Sequence, residues 1–89
     1  MKYQDNHTGE IVEAIQWDCD GDSEYAIKQL VRWPLVPWEE HDKSPDFLCI
    51  RTLTKDIYVD IDDWVIKHKD GRVGVVSNKV FGIFFTEMI

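Results

Sequence analysis

Asp18, Asp20 and Asp22 alternate along the chain as the first ligands of a calcium-binding loop do. The pattern breaks where such a loop is most constrained. The sharp turn needs glycine at the sixth loop position, and Ser23 stands there. The bidentate glutamate of the twelfth position is replaced by Gln29. Helix capping and a solvated acidic turn explain these aspartates more simply. His7, His41 and His68 do not fall at zinc-ligand spacing, and neither Cys19 nor Cys49 has a histidine nearby in sequence. Asp60, Asp62 and Asp63 would hold a carboxylate of raised pKa if one were buried, but a charged turn accounts for them far better. The chain contains no nucleophile elbow, phosphate-binding glycine loop or dinucleotide fingerprint. No nucleophile, base and orienting group can be assembled from it, so the expectation is a protein that is not an enzyme, with no metal and no cofactor.

Recognition is better represented than catalysis. Trp33-Pro34-Leu35-Val36-Pro37-Trp38-Glu39-Glu40 combines two tryptophans with two stiffening prolines. Tryptophan is enriched among binding hot spots, and proline lowers the entropy lost when a loop is presented to a partner. Trp33, Trp38, Glu39 and Glu40 are therefore the candidate binding residues, with Asp42 adding to an acidic rim. The plainer explanation is that both tryptophans fold back over the sheet, because a small core needs large side chains. A second candidate is an anion site in which Arg51, Lys67 and Arg72 offset the acidic background and an aromatic ring stacks on a base. A third is a DNA mimic built from the acids of residues 18–24, 39–46 and 56–63, which read otherwise as solvated turns.

The elements that must position these residues follow from periodicity. A strand is predicted over residues 9–17, with Val12, Ala14 and Gln16 on one face and Ile11, Glu13, Ile15 and Trp17 on the other. Asp22 or Ser23 is positioned to cap a helix over residues 24–32, whose apolar face is Ala26, Ile27, Leu30 and Val31. Pro34 disfavours helical geometry at Trp33 and stops it. Residues 33–46 hold all three prolines and read as a loop. Strands are predicted over residues 47–53 and 57–61, joined through Thr54-Lys55-Asp56. A hairpin follows over residues 64–69 and 72–77, with Asp70-Gly71 as a type I′ turn. Asn78 is placed to cap a short helical turn ended by Gly82, and residues 83–89 read as a last strand or tail.

The resulting class is α+β, in the order β-α-β-β-β-β. It is an antiparallel sheet of four to five strands with one helix packed on one face and a C-terminal hairpin, within a single domain over residues 1–89. The expected core is Val12, Ile15, Ile27, Leu30, Val31, Phe47, Leu48, Ile50, Val59, Ile61, Val65, Ile66 and Phe81. A formal charge of −7, from seventeen acidic and ten basic residues among 89, disfavours direct contact with nucleic acid or anionic membranes. No apolar run approaches the roughly 20 residues of a membrane span, and no signal peptide is apparent. Two cysteines suit free thiols in a reducing compartment.

Val12-Glu13-Ala14-Ile15-Gln16-Trp17, Asp63-Trp64-Val65-Ile66-Lys67, Gly71-Arg72-Val73 and Val80-Phe81 carry a resemblance. In this order they resemble a family of small tailed-phage proteins whose opening strand often reads VEAIQW. Later in that family come runs like GDYIIKG and GEFYPCKPDIF. Gly74-Val75-Val76-Ser77-Asn78 replaces the family's Tyr-Pro-Cys-Lys-Pro, so any role tied to that cysteine is lost. The resemblance implies a phage accessory protein in the host bacterial cytoplasm. Its expected action is to bind and inhibit a host bacterial protein; the alternatives are a nucleotide-signal sponge, assembled as a homo-oligomer, and the DNA mimic.

Overall fold

The computed structural model describes residues 2–88 except 42 and 45, and the backbone but not the side chain of Trp38. Eight strands and two helices lie among the described residues. β1 (Lys2–Asp5) and β2 (Ile11–Gln16) form an N-terminal hairpin. α1 (Gly21–Val31) follows, then β3 (Leu35–Val36) and a single 3-10 turn (Trp38–Glu40). β4 (Leu48–Arg51) and β5 (Asp56–Val59) pair with each other, as do β6 (Trp64–Lys67) and β7 (Val73–Val76). α2 (Asn78–Phe84) and β8 (Phe85–Glu87) complete the chain. The fold is α+β. A five-stranded antiparallel sheet runs β7-β6-β2-β1-β8, and a separate three-stranded sheet runs β3-β4-β5.

Strand alternation gives the larger sheet two apolar faces, and each needs its own cover. One face presents Ile15, Val65, Val73 and Val75 to α1 and to the smaller sheet. There they join Trp17, Ile27, Leu30, Val31, Leu48, Ile50 and Val59 in the main core. The other presents Tyr3, Val12, Ala14, Ile66 and Trp64 to Phe81 of α2. Ten of the thirteen expected core residues are buried. Ile15 and Phe47 are half-buried, and Ile61 is 42% exposed because it sits in the turn after β5. Tyr3, Ala14, Trp17, Val36 and Cys49 are buried as well.

Several elements depart from the sequence reading for identifiable reasons. β1 shows a single inward apolar residue, Tyr3, so periodicity is silent there. β3 is two residues long and lies between prolines. Pro34 has no N–H, but its carbonyl still accepts from Arg51 N–H at 2.9 Å and continues the ladder. α1 starts at Gly21 because Asp20, rather than Asp22 or Ser23, caps it. The β4–β5 turn spans residues 52–55, closed by Thr52 N–H to the Lys55 carbonyl at 2.9 Å. In the β6–β7 hairpin only Gly71 has positive φ, at 93°, and Gly71 N–H reaches the His68 carbonyl. That is a three-residue loop with a bulge glycine, not the two-residue type I′ turn expected. Ser77, one residue before Asn78, caps α2, which runs through Gly82 to Phe84.

Candidate functional site

The segment carrying Trp33, Trp38, Glu39 and Glu40 is not a free loop. Its β3 part is zipped onto β4, with Leu35 opposite Ile50 and Val36 opposite Cys49. Trp33 is half-buried and packs against the main core. The packed alternative therefore describes one side of Trp33, and the rest of its surface stays exposed beside β3. The side chain of Trp38 and all of Asp42 lie outside the described residues. Glu39 and Glu40 are exposed on the 3-10 turn, held by Glu40 N–H to the Pro37 carbonyl at 2.9 Å.

What the segment does form is one wall of a cleft of about 510 Å³ against the first half of α1. Its floor is Trp17, Leu35 and Phe47, and its rim carries Asp20, Glu24 and Glu39, with Lys28 the one cation lining it among the described residues. Trp17 anchors the floor. Its indole N–H donates to the Asp46 carbonyl at 2.8 Å, and its main chain exchanges hydrogen bonds with residues 62 and 63. Two of the three sequence clusters of acids thus converge here, one from the entry to α1 and one from the 3-10 turn. Neither Trp17 nor Phe47 is singled out by sequence as a site residue: Phe47 reads as core and Trp17 only as the end of the first predicted strand.

Asp20 has a structural task within this rim. Its carboxylate accepts from Ser23 N–H and from the Ser23 hydroxyl, both at 2.7 Å. These bonds hold its pKa below the usual carboxylate range, the serine hydroxyl contributing most. A depressed folded pKa adds stability that is present above the unfolded value of about 4 and disappears as pH falls through the folded value. Asp20→Asn keeps a capping oxygen but cannot titrate. The gap in melting temperature between wild type and Asp20→Asn should therefore narrow as pH drops from about 5 to about 2. A gap constant over that range would remove the charged cap from the account.

The remaining chemical candidates are dispersed. Among the described residues no group of three or more His, Cys, Asp or Glu side chains is placed to hold a metal ion. Cys49 is wholly buried in β4, and burial raises its thiol pKa. Cys19 is exposed, but desolvation and then the neighbouring Asp46 and Asp20 raise its pKa too. The thiolate needed for nucleophilic attack is disfavoured in both. Asp60 and Asp63 accept main-chain N–H groups within their own turn.

Arg51, Lys67 and Arg72 do not form one cluster. Arg51 pairs with Asp56 at 2.9 Å in the smaller sheet, and Arg72 pairs with Asp70 at 2.7 Å in the hairpin loop. Lys67 instead lines a second cleft, of about 630 Å³, beside the C-terminal half of α1. Lys2, Arg32 and Lys69 line it as well, with Glu13 the one carboxylate; His68 is at its edge and pairs with Glu10 at 3.1 Å. The two clefts thus lie toward opposite ends of a helix that is about 16 Å long.

No family model, curated protein or solved structure matches this chain.

Proposed function

We propose that this chain is a phage-encoded, non-enzymatic protein that binds and inhibits a host bacterial protein, and that the acidic cleft grips a basic side chain of that partner. The observation that carries this reading is an apolar floor of Trp17, Leu35 and Phe47 beneath the carboxylates of Asp20, Glu24 and Glu39. A lysine or arginine suits such a site because its stem lies on apolar surface while its head meets the carboxylates. The net charge of −7 steers a basic partner toward the protein and makes association salt-sensitive. Phage origin and action in the host cytoplasm rest on the resemblance at residues 12–17, 63–67, 71–73 and 80–81. The DNA-mimic alternative draws less support, because Asp56 is neutralised by Arg51 and the carboxylates of Asp60 and Asp63 are engaged in their turn.

Glu24 and Glu39 are exposed, and neither holds a cap. The double variant Glu24→Lys, Glu39→Lys tests the site at a small cost to α1. Wild type and variant, each immobilised, are exposed to bacterial lysate at low and at high salt. A partner held by wild type should be lost from the variant while the variant stays folded with a slightly lowered melting temperature, because Glu24→Lys sets a cation at the start of α1 and four residues before Lys28; the on-rate for wild type should fall as salt rises. Equal retention of every partner by both proteins would overturn the acidic cleft as the binding site. Replacing Trp33 would not serve here, because a packed tryptophan reports folding as much as recognition.

A further inference from the structure

The cleft at the other end of α1 concentrates positive charge in a strongly acidic protein. Lys2 comes from β1, Lys67 from β6, Lys69 from the hairpin loop and Arg32 from the end of α1. Four of the chain's ten basic residues therefore converge from four places, against one lining carboxylate, Glu13, among the described residues. None of the four is in an ion pair among the described residues. We infer that this cleft is a binding site for a compact polyphosphate anion.

Two structural explanations account for part of the pattern. A cation at the C-terminal end of α1 complements the helix dipole, which covers Arg32. Glu13 lies opposite Lys2 on one neighbouring strand and opposite Lys67 on the other, and such cross-strand pairs favour sheet formation. Neither explanation covers Lys69. The dipole favours a cation anywhere in the last turn, but does not select residue 32 over its neighbours. Arg32 has φ 58°, in the left-handed region that closes a helix and favours glycine. A cation stands where glycine would fit the backbone better, and it lines the same cleft as three lysines.

The lining also narrows the ligand. Ile11, Val12 and Leu30 are its apolar walls, and among the described residues the one aromatic ring lining it is the imidazole of His68, whose Nδ1 is paired with Glu10. Several ammonium groups and one guanidinium instead suit adjacent phosphates, the lysines as point charges and Arg32 as a fork across two oxygens. The four cations thus make linked phosphate groups the feature that this cleft recognises.

The test is an amide NMR titration of the full chain with inorganic phosphate, pyrophosphate and tripolyphosphate at constant ionic strength, with melting curves for each variant. Saturable shifts confined to Lys2, Glu13, Arg32 and residues 67–69, strengthening from phosphate to tripolyphosphate, are expected. Arg32→Gly should weaken tripolyphosphate binding about three- to tenfold without lowering the melting temperature, and Lys69→Ala should weaken it similarly. Glu13→Gln should tighten binding, whereas a purely structural row of charges predicts no such gain. Shifts that never saturate or spread equally to Lys43, Lys55 and Lys79 would overturn the site. Unchanged affinity in both Arg32→Gly and Lys69→Ala, or Glu13→Gln that binds no tighter, would do so too.

Discussion

Trp17→Ala is expected to destabilise the protein by about 3–5 kcal/mol, the range for emptying a large aromatic site in a core. Trp17 is only 4% exposed and belongs to the main core with Ile27, Leu48 and Val65. Its removal leaves a cavity at the junction of α1, the smaller sheet and the larger sheet. A domain of this size has a total stability on the order of 5–15 kcal/mol, so much of the margin would be lost. Trp17→Phe separates packing from hydrogen bonding. It retains most of the apolar volume but deletes the indole N–H donated to Asp46 at 2.8 Å, a bond worth about 0.5–1.5 kcal/mol. Urea unfolding of both variants checks this. A loss below about 1.5 kcal/mol for Trp17→Ala would mean that the floor of the acidic cleft is not part of the cooperative core. The functional consequence follows, because the same ring that closes the core supports Leu35 and Phe47, the half-buried floor on which the partner's basic side chain is proposed to lie.

The second large effect is expected at the opposite face. Phe81→Ala should cost about 3–4 kcal/mol and release α2 from the sheet. Phe81 is 5% exposed and stacks on Trp64 with ring centroids 3.9 Å apart and planes 5° apart. It also meets Phe85 and Tyr3, each at 4.9 Å. Little else fastens α2 at its start: Asn78 accepts hydrogen bonds from the indole of Trp64 at 2.9 Å and from Gln16 at 3.3 Å. Hydrogen exchange should therefore accelerate through residues 78–87 in Phe81→Ala, while the main-core amides in α1 and β4 remain protected relative to global unfolding. Uniform acceleration across both regions would show that the two cores unfold as one unit. A double-mutant cycle with Trp64→Ala should return a coupling of about 0.5–1.5 kcal/mol for the stacked pair.

The residues themselves determined the α+β class, the main helix and the strands with clean alternation. Ile27, Leu30 and Val31 at helical spacing have few alternatives to facing a core, and Val65 and Ile66 alternate onto the two sheet faces that bury them. The Asp70-Gly71 pair located a hairpin correctly, yet the turn type depended on which residues took positive φ, and only Gly71 did. Tertiary structure decided what local pattern cannot encode. The polar strand β1 forms because β2 and β8 pair with its two edges, and β3 forms because β4 offers it an edge. Both gain their hydrogen bonds from distant partners rather than from their own composition. The same holds for the candidate sites. Acids entering α1 and acids on the 3-10 turn meet across an apolar floor only after β3 docks. Lys2, Arg32, Lys67 and Lys69 converge only once β1, β6 and the end of α1 are brought together. Charge identity is a property of the sequence; the field that a cleft presents is a property of which distant charges the sheet pairing places side by side.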